Sequence, residues 1–587
     1  MNRLIVFVLL ALLLAGQVQQ GRSQQVRFSA FPAPLQLFAR DEQDSAIVPI
    51  EGILQSTGYD SVHLQVFRNT ILWKTLHQQL VYSGGSASFR LLPTIAAGLF
   101  EYDFRVFIDQ NLVMERDSIV CGDVYLINGQ SNSHPNAISY SFESEFCRSF
   151  GRHTNYNDYN PADTTWGLSN GQGWCDSCLY AVGTWGLRLQ ELILNDYGMP
   201  TCVINGGSGG STISYNLPDS NDHMNLATTY GRLLYRSTKA GVATHVKALL
   251  WHQGESDSGS PDAEAYYERF SILRNAWKED YTPLNKIYVF QIHPGNCGGA
   301  EQDYLRNVQR LFKADFPEVE VMATVGLDGH DGCHYNDDGY LQMASWVYRL
   351  MERDFYHASD TLNIEAPDIQ SVYYRDADHT QIAVEYDNPV VWPDDSLGAS
   401  MKDYFYLDGT SGLVQQGYTI NDGYTVILQL NNSSNATKLT YLPSYSYNHV
   451  PTRIYEGPWI RGLRGVGALS FFEVPISANP STLKENQIPG TWFLAQNYPN
   501  PFGEGSKRPA SSSDNPETTV QFGIPLPGKV SISVYNAAGQ KMISYNRFFN
   551  AGIHAIKLNA ANWASGLYFY RIQFSGKTFT RKMTLIR

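Results

Sequence analysis

The sequence predicts a multidomain protein in which a central α/β domain, built on a parallel sheet, is flanked by β-sandwich domains. Three observations predict it. At 587 residues the chain is far longer than one hydrophobic core supports. Its hydrophobic fraction of 43%, charged fraction of 17% and aromatic fraction of 13% are those of folded material. The hydrophobic pattern also changes twice, from alternating runs to continuous apolar strands separated by helical periodicity, and back to alternation.

The chain opens on Asn2, Arg3 and Leu4, followed by an apolar run over 5–15 and a polar stretch over 16–25, which reads as a signal peptide over residues 1–23. The run is too short to span a membrane, and no later segment is continuously apolar for about 20 residues, so no transmembrane segment is expected in the mature chain. No cysteine follows the run, which argues against a lipoprotein anchor. The net charge of -13 argues against nucleic acid or an anionic membrane surface as partner. Export implies an oxidising route for Cys121, Cys147, Cys175, Cys178, Cys202, Cys297 and Cys333, and seven cysteines leave at least one unpaired within the chain. Cys175 and Cys178 have zinc-knuckle spacing, but no second pair accompanies them, which favours a disulfide or buried thiols over metal.

Residues 24–118 alternate in short runs, such as 62–67 and 100–107, and predict an antiparallel β-sandwich. Residues 119–356 carry apolar strands at 124–127, 202–204, 246–251, 287–292 and 319–325, separated by helical patterns. One helix is marked by Trp185, Leu189, Leu192 and Ile193 and ended by Gly198; another by Leu305, Val308, Leu311 and Phe312 and stopped by Pro317; a third runs from Asp338 to about residue 355. Residues 357–485 return to alternation at 381–386 and 424–430, a second β domain. Residues 486–587 form a last β unit, interrupted by an apolar-poor loop or linker over 503–518.

Polar residues stand immediately after the central strands, where open parallel sheets place their ligands. Gly129, Gln130, Ser131 and Asn132 make a tight turn that can present a serine hydroxyl, with a helix N-terminus expected behind it. A glycine-rich loop over 205–212 can turn backbone N–H groups toward an oxyanion. In the run from Trp251 to Asp257, Gln253 can donate through its amide and Glu255 can orient or accept. Asp331 stands three residues ahead of His334, the spacing at which a carboxylate can hold one ring nitrogen while the other faces the serine; His330 is the nearby rival, read as a surface residue or one that supports the site from behind.

These four motifs, in this order over roughly residues 119–356, resemble the sialate O-acetylesterase and acetylxylan esterase branch of the SGNH hydrolase superfamily. The resemblance implies a flavodoxin-like three-layer sheet domain and a carbohydrate O-acetylesterase that needs no metal or other cofactor. It implies Ser131 as nucleophile, His334 as base and Asp331 as its orienting acid. The oxyanion hole falls to Gly210, Gln253 and the Ser131 backbone N–H, and Glu255 is the alternative acid because members of the branch have been assigned a glutamate in the triad. Ser133, His134 and Pro135 follow Asn132 where relatives often carry a methionine, which predicts a different pocket mouth. The substrate expected is an acetylated carbohydrate whose identity rests on loops such as 141–177. An SGNH lipase or arylesterase, and a non-catalytic glycan-binding surface protein, are the competing readings.

The runs 493–502, 518–522, 530–540, 551–554 and 565–571, with Arg581, Lys582 and Met583 near the end, alternate as strands between glycine turns. A carbohydrate-binding module is one reading. The stretch is similar over nearly its whole length to the C-terminal sorting domain of type IX secretion substrates in Bacteroidetes-like bacteria. That similarity implies the type IX secretion machinery as partner and a secreted or outer-membrane surface location.

Overall fold

The computed structural model describes residues 26–135, 139–152, 160–171, 179–295, 297, 299–396, 399–443, 457–477, 492–503, 516–525, 528–549, 552–574 and 576–586. The expected signal peptide, the pair Cys175 and Cys178, and residues 504–515 of the apolar-poor segment lie outside the described residues, as do 153–159 and 172–178 of the expected specificity loops. The chain divides into two compact units, the first comprising residues up to 368 with 388–423 and 438–474, and the second 369–387, 424–437 and 475–587. Strands from 357–485 thus fall in both.

At the start of the first unit, Ile50–Leu54 pairs antiparallel with Val26–Ala30 and Ser86–Leu91, while Ser61–Arg68 pairs with Tyr102–Ile108 and Ile71–Gln79. The alternation explains the burial: Tyr102, Phe104, Val106 and Ile108 point into a core shared with Val62, Leu64 and Val66, and the residues between them do not.

The central elements are, in chain order, β1 (Asn111–Gly129), α1 (Thr184–Tyr197), β2 (Thr201–Asn205), α2 (Thr229–Lys239), β3 (Val246–His252), α3 (Asp262–Asp280), β4 (Lys286–Gln291), α4 (Gln302–Asp315), β5 (Val319–Ala323) and α5 (Asp337–Phe355). The first part of β1 pairs antiparallel with Tyr102–Ile108, and its last part pairs parallel with β2 and β3, so one strand of 19 residues serves both sheets. From Ile119 to Gly129 every residue of β1 is buried. An apolar run without alternation belongs in such a place, because side chains on both faces leave water. The parallel order is β2-β1-β3-β4-β5, extended beyond β2 by Cys147–Phe150 and Trp166–Leu168. The chain leaves β1 toward β2 and later resumes on its other side at β3, so the carboxyl end of β1 is the topological switch point.

Helix ends follow local chemistry. Gly198, at φ 58°, ends α1 by donating its N–H to the Leu194 carbonyl, and the Asn336 side chain opens α5 by accepting from the Gly339 N–H at 3.0 Å. In the second unit, Gln381–Tyr386 pairs with Ile369–Tyr374 and Thr425–Leu430. Farther on, Glu517–Ile524 pairs with Gly552–Asn559, and Gly566–Phe574 lies between Gly528–Asn536 and Lys577–Ile586 around a core that includes Val520, Phe522, Ile532, Tyr570 and Met583.

Candidate active site

The serine turn sits at the switch point. Gly129, at φ 139°, ends β1, and a Cβ there would lie 2.1 Å from the His252 carbonyl oxygen at the end of β3. Only glycine allows that approach. Gln130 donates its N–H to the His252 carbonyl at 3.0 Å, and its side-chain Oε1 accepts from Gln253 Nε2 at 3.1 Å and from the Gly254 and Ser256 N–H groups at 3.1 and 3.2 Å. Ser131 is half-buried on this braced turn. The helix expected directly behind it is replaced by a turn over 131–133, in which the His134 N–H bonds the Gln130 and Ser131 carbonyls. Ser133, His134 and Pro135 are buried, and Ser133 Oγ donates to the Asn128 and His252 carbonyls.

The glycine-rich loop leaves β2 and presses on the same turn. The Ser208 N–H donates to the Gly129 carbonyl at 2.9 Å, and a Cβ on Gly207 would lie 2.7 Å from the Ser133 carbonyl carbon. Gly209 and Gly210 are exposed, and Gly210 takes φ 68°. Gln253 Nε2 also donates to the Ser211 carbonyl at 3.2 Å and to the Asp257 carboxylate, which in turn accepts from the Ile213 N–H at 2.8 Å. Gln253 and Asp257 therefore lace the serine turn, the glycine loop and the loop after β3 together.

Glu255 and the His334 loop meet at Asn132. Asn132 Nδ2 donates to Glu255 Oε1 at 2.8 Å and to the Cys333 carbonyl at 3.0 Å, and Asn132 Oδ1 accepts from the Tyr340 hydroxyl of α5 at 2.9 Å. Burial pushes the Glu255 carboxyl up to about 7, against the pull of the Asn132 hydrogen bond. His252 Nδ1 stands 3.7 Å from Glu255 Oε1, and burial pushes this imidazole down to about 3, so the pair is neutral on the histidine side.

Asp331 meets His334 through the main chain. Its Oδ1 accepts from the Cys333 and His334 N–H groups at 2.8 and 2.7 Å, and among the described residues no ion pair joins its carboxylate to the His334 ring. Burial alone would raise this carboxyl, but those N–H groups and the nearby histidines hold it below its ordinary value. His330 is buried rather than at the surface: its ring stacks on His293 at 4.0 Å, and burial lowers it to about 4. Cys333 is joined to Cys297, while Cys121, Cys147 and Cys202 are buried free thiols. Among the described residues no group of three or more His, Cys, Asp or Glu is placed to hold a metal ion.

Sequence reasoning assigned no part to Asn132, Asp257, His252 or Tyr340. Asn132 and Asp257 lie inside the motifs already singled out, so their polarity beside a strand end was the available signal. His252 also lies inside such a run, whereas Tyr340 is recognisable only once α5 is packed.

The described geometry is thus a serine on a turn at the switch point of a parallel sheet, with polar loops converging on it. Residues 121–352 match the family described as carbohydrate esterase, sialic acid-specific acetylesterase, and residues 515–586 match the secretion system C-terminal sorting domain. The chain thus carries a carbohydrate esterase domain of that family together with a sorting domain, which marks a secreted or cell-surface protein. Among solved structures, a carbohydrate acetylesterase from Xanthomonas citri is similar with 16% identity and a TM-score of 0.52, over 76% of this chain and 99% of that one. An acetyl xylan esterase from Butyrivibrio proteoclasticus shares 8% identity with a TM-score of 0.24, over 57% of this chain and 96% of that one. A protein from Arabidopsis thaliana shares 19% identity with a TM-score of 0.32, over 40% and 99%. No curated protein sequence matches. Among the described residues no helix is long and apolar enough to cross a membrane.

Proposed function

We propose that the protein is a secreted serine esterase that removes acetyl groups from carbohydrates through an acyl-enzyme. Ser131 Oγ attacks the ester carbonyl while His334 takes its proton; the sugar hydroxyl leaves with that proton, and water activated by His334 then releases acetate. Asp331 is the orienting acid and Glu255 the alternative. The Ser131 and Gly210 N–H groups face the developing oxyanion. Gln253 is the third donor, and in that role its side-chain amide rotates as a unit from the acceptors Nε2 holds at rest, Gln130, Ser211 and Asp257. On this reading the parallel sheet and its helices form the three-layer SGNH domain over 119–356. The units at 24–118, 357–485 and 486–587 are then β-sandwich or β domains flanking it.

The observation that carries the reading is the set of bonds made by Asn132, which ties the residue after Ser131 to Glu255 and to the residue before His334. The family match supports an acetylated carbohydrate as substrate. The test is acetate release by purified protein from a panel of acetylated glycans, including sialic acid, xylan and pectin, beside Ser131→Ala. Release by the variant at the wild-type rate would sink the assignment. The sorting domain supports the type IX secretion machinery as partner: removing residues 486–587 leaves turnover unchanged and stops export, and a truncated protein found outside the cell refutes the partner.

A further inference from the structure

Cys333 immediately precedes His334, and its disulfide reaches back 36 residues to Cys297. Each end is anchored to a different part of the domain. The Cys297 carbonyl accepts from Nε2 of Gln302, a buried side chain at the first residue of α4, whose Oε1 accepts from the Gly295 N–H at 3.3 Å. The Cys333 carbonyl accepts from Asn132, and the Cys333 N–H donates to Asp331. One further bond joins the two segments, from the Cys297 N–H to the Gly332 carbonyl at 3.1 Å. The loop bearing the base otherwise lies toward solvent: Asp331 is exposed, and Cys297, Cys333 and His334 are half-buried, within reach of a small reductant.

We infer that the Cys297–Cys333 disulfide is a positioning device for the catalytic base, fixing the main chain at His334 in register with Ser131 through Asn132, so that breaking it turns the esterase down without unfolding it. The inference rests on the assignment of Ser131 and His334 proposed above. Catalysis tolerates little misplacement of a base, since a shift of about 1 Å can lower turnover on the order of a hundredfold. Reduction by a dithiol such as dithiothreitol breaks the S–S bond in two exchanges: two electrons and two protons pass to Cys297 and Cys333, and the reagent closes to its cyclic disulfide. Oxidised glutathione reverses this, taking up the same electrons and protons as two molecules of the free thiol. The buried Cys121 and Cys147 thiols, pushed up to about 12 by burial, supply no thiolate for competing exchange.

The experiment uses the full chain and a small aryl acetate, with kcat, KM, near-UV circular dichroism and thiol titration read together. Reduction of the wild type, or Cys297→Ser and Cys333→Ser singly and together, is expected to lower kcat about 10- to 100-fold with KM little changed and the fold retained. Oxidised glutathione should restore the reduced wild type and leave the double variant unchanged. The substitutions assign the effect to this pair, because a reductant is not selective for one disulfide. Unchanged kcat with both thiols titrated, a loss confined to KM, or a loss that tracks unfolding overturns the inference. Ser131→Ala separates the two readings: full turnover by that variant sinks the site itself. An inactive Ser131→Ala beside a fully active reduced wild type sinks only the disulfide's role.

Discussion

The serine turn and the histidine loop meet at Asn132 but are held by different means. The serine turn is braced from within: Gly129 lies against the β3 carbonyl, Gln130 bonds three groups of the following loop, and its flanks are buried. The histidine loop lies toward solvent and is held by an Asx turn at Asp331, an isolated bridge between His330 and Tyr335, and a covalent link. The two carboxylates differ in the same way. Glu255 is buried and pushed up to about 7, whereas Asp331 is exposed and held low by backbone N–H groups. Packing therefore fixes the serine turn, whereas an Asx turn, a bridge and a disulfide fix the histidine loop. Changes at the first region should register mainly as stability, except at the serine itself, and changes at the second mainly as rate.

The largest effect expected is that of Ser131→Ala, a loss of about 10³-fold or more in kcat with an unchanged melting temperature, because in the proposed mechanism the hydroxyl is the reacting group while the turn keeps its bonds. The double variant with His334→Ala should be hardly slower if, as proposed, the two act as one unit; additive losses in a kinetic comparison would separate them. Next comes Asp331→Asn. An asparagine Oδ1 can accept the same two N–H bonds, so this change removes charge and leaves the turn, and kcat/KM should fall on the order of 10³-fold with folding intact. Glu255→Gln should lose less. The reverse ranking moves Glu255 into the acid's place. At the serine turn, Gly129→Ala should lower stability by about 3 kcal/mol or more, because a Cβ at φ 139° collides with the His252 carbonyl. A denaturant midpoint equal to wild type would show the turn to be less tightly braced than its contacts imply.

This contrast also explains what was legible in the sequence. Continuous apolar runs at 202–204, 246–251 and 287–292 mark strands buried along their length, and each is found within a residue or two of its expected ends. Gly198 placed the end of α1, because it acts through its own backbone; α5, expected from Asp338, begins one residue earlier behind Asn336, a cap that sequence reasoning did not single out. The motifs located the strand-end loops for the same local reason. What stayed hidden depends on side chains meeting across the fold. The direction of the Asp331 carboxylate, the burial of His330 on His293, and the pairing of Cys297 with Cys333 are set by the packing of separate segments, which spacing along the chain does not encode. The burial of Ser133 and His134 follows the same rule, since it is the glycine loop from another strand that presses on them.

The smallest effect expected is a pH dependence of stability that distinguishes the two carboxylates. Glu255 is raised from 4.5 to about 7 by burial, so below about 4.5 the folded and unfolded chains both hold its proton and nothing is lost. As pH rises from there, the unfolded chain releases a proton that the folded chain keeps. Stability therefore falls through this window and levels off above about 7, by at most about 3 kcal/mol. His252 and His330, lowered by burial, act with the opposite sign as pH falls, so the contribution of Glu255 is isolated by subtracting the curve of Glu255→Gln from that of the wild type. The difference should decline between pH 4.5 and 7 and be flat outside it. For Asp331, lowered instead of raised, the difference against Asp331→Asn should be present at neutral pH and vanish only as pH falls through the acid range. Unfolding curves at a series of pH values measure both. A Glu255 difference with no slope would mean that its carboxyl is ionised in the folded protein, which would place a charge beside Asn132 and favour Glu255 over Asp331 as the acid.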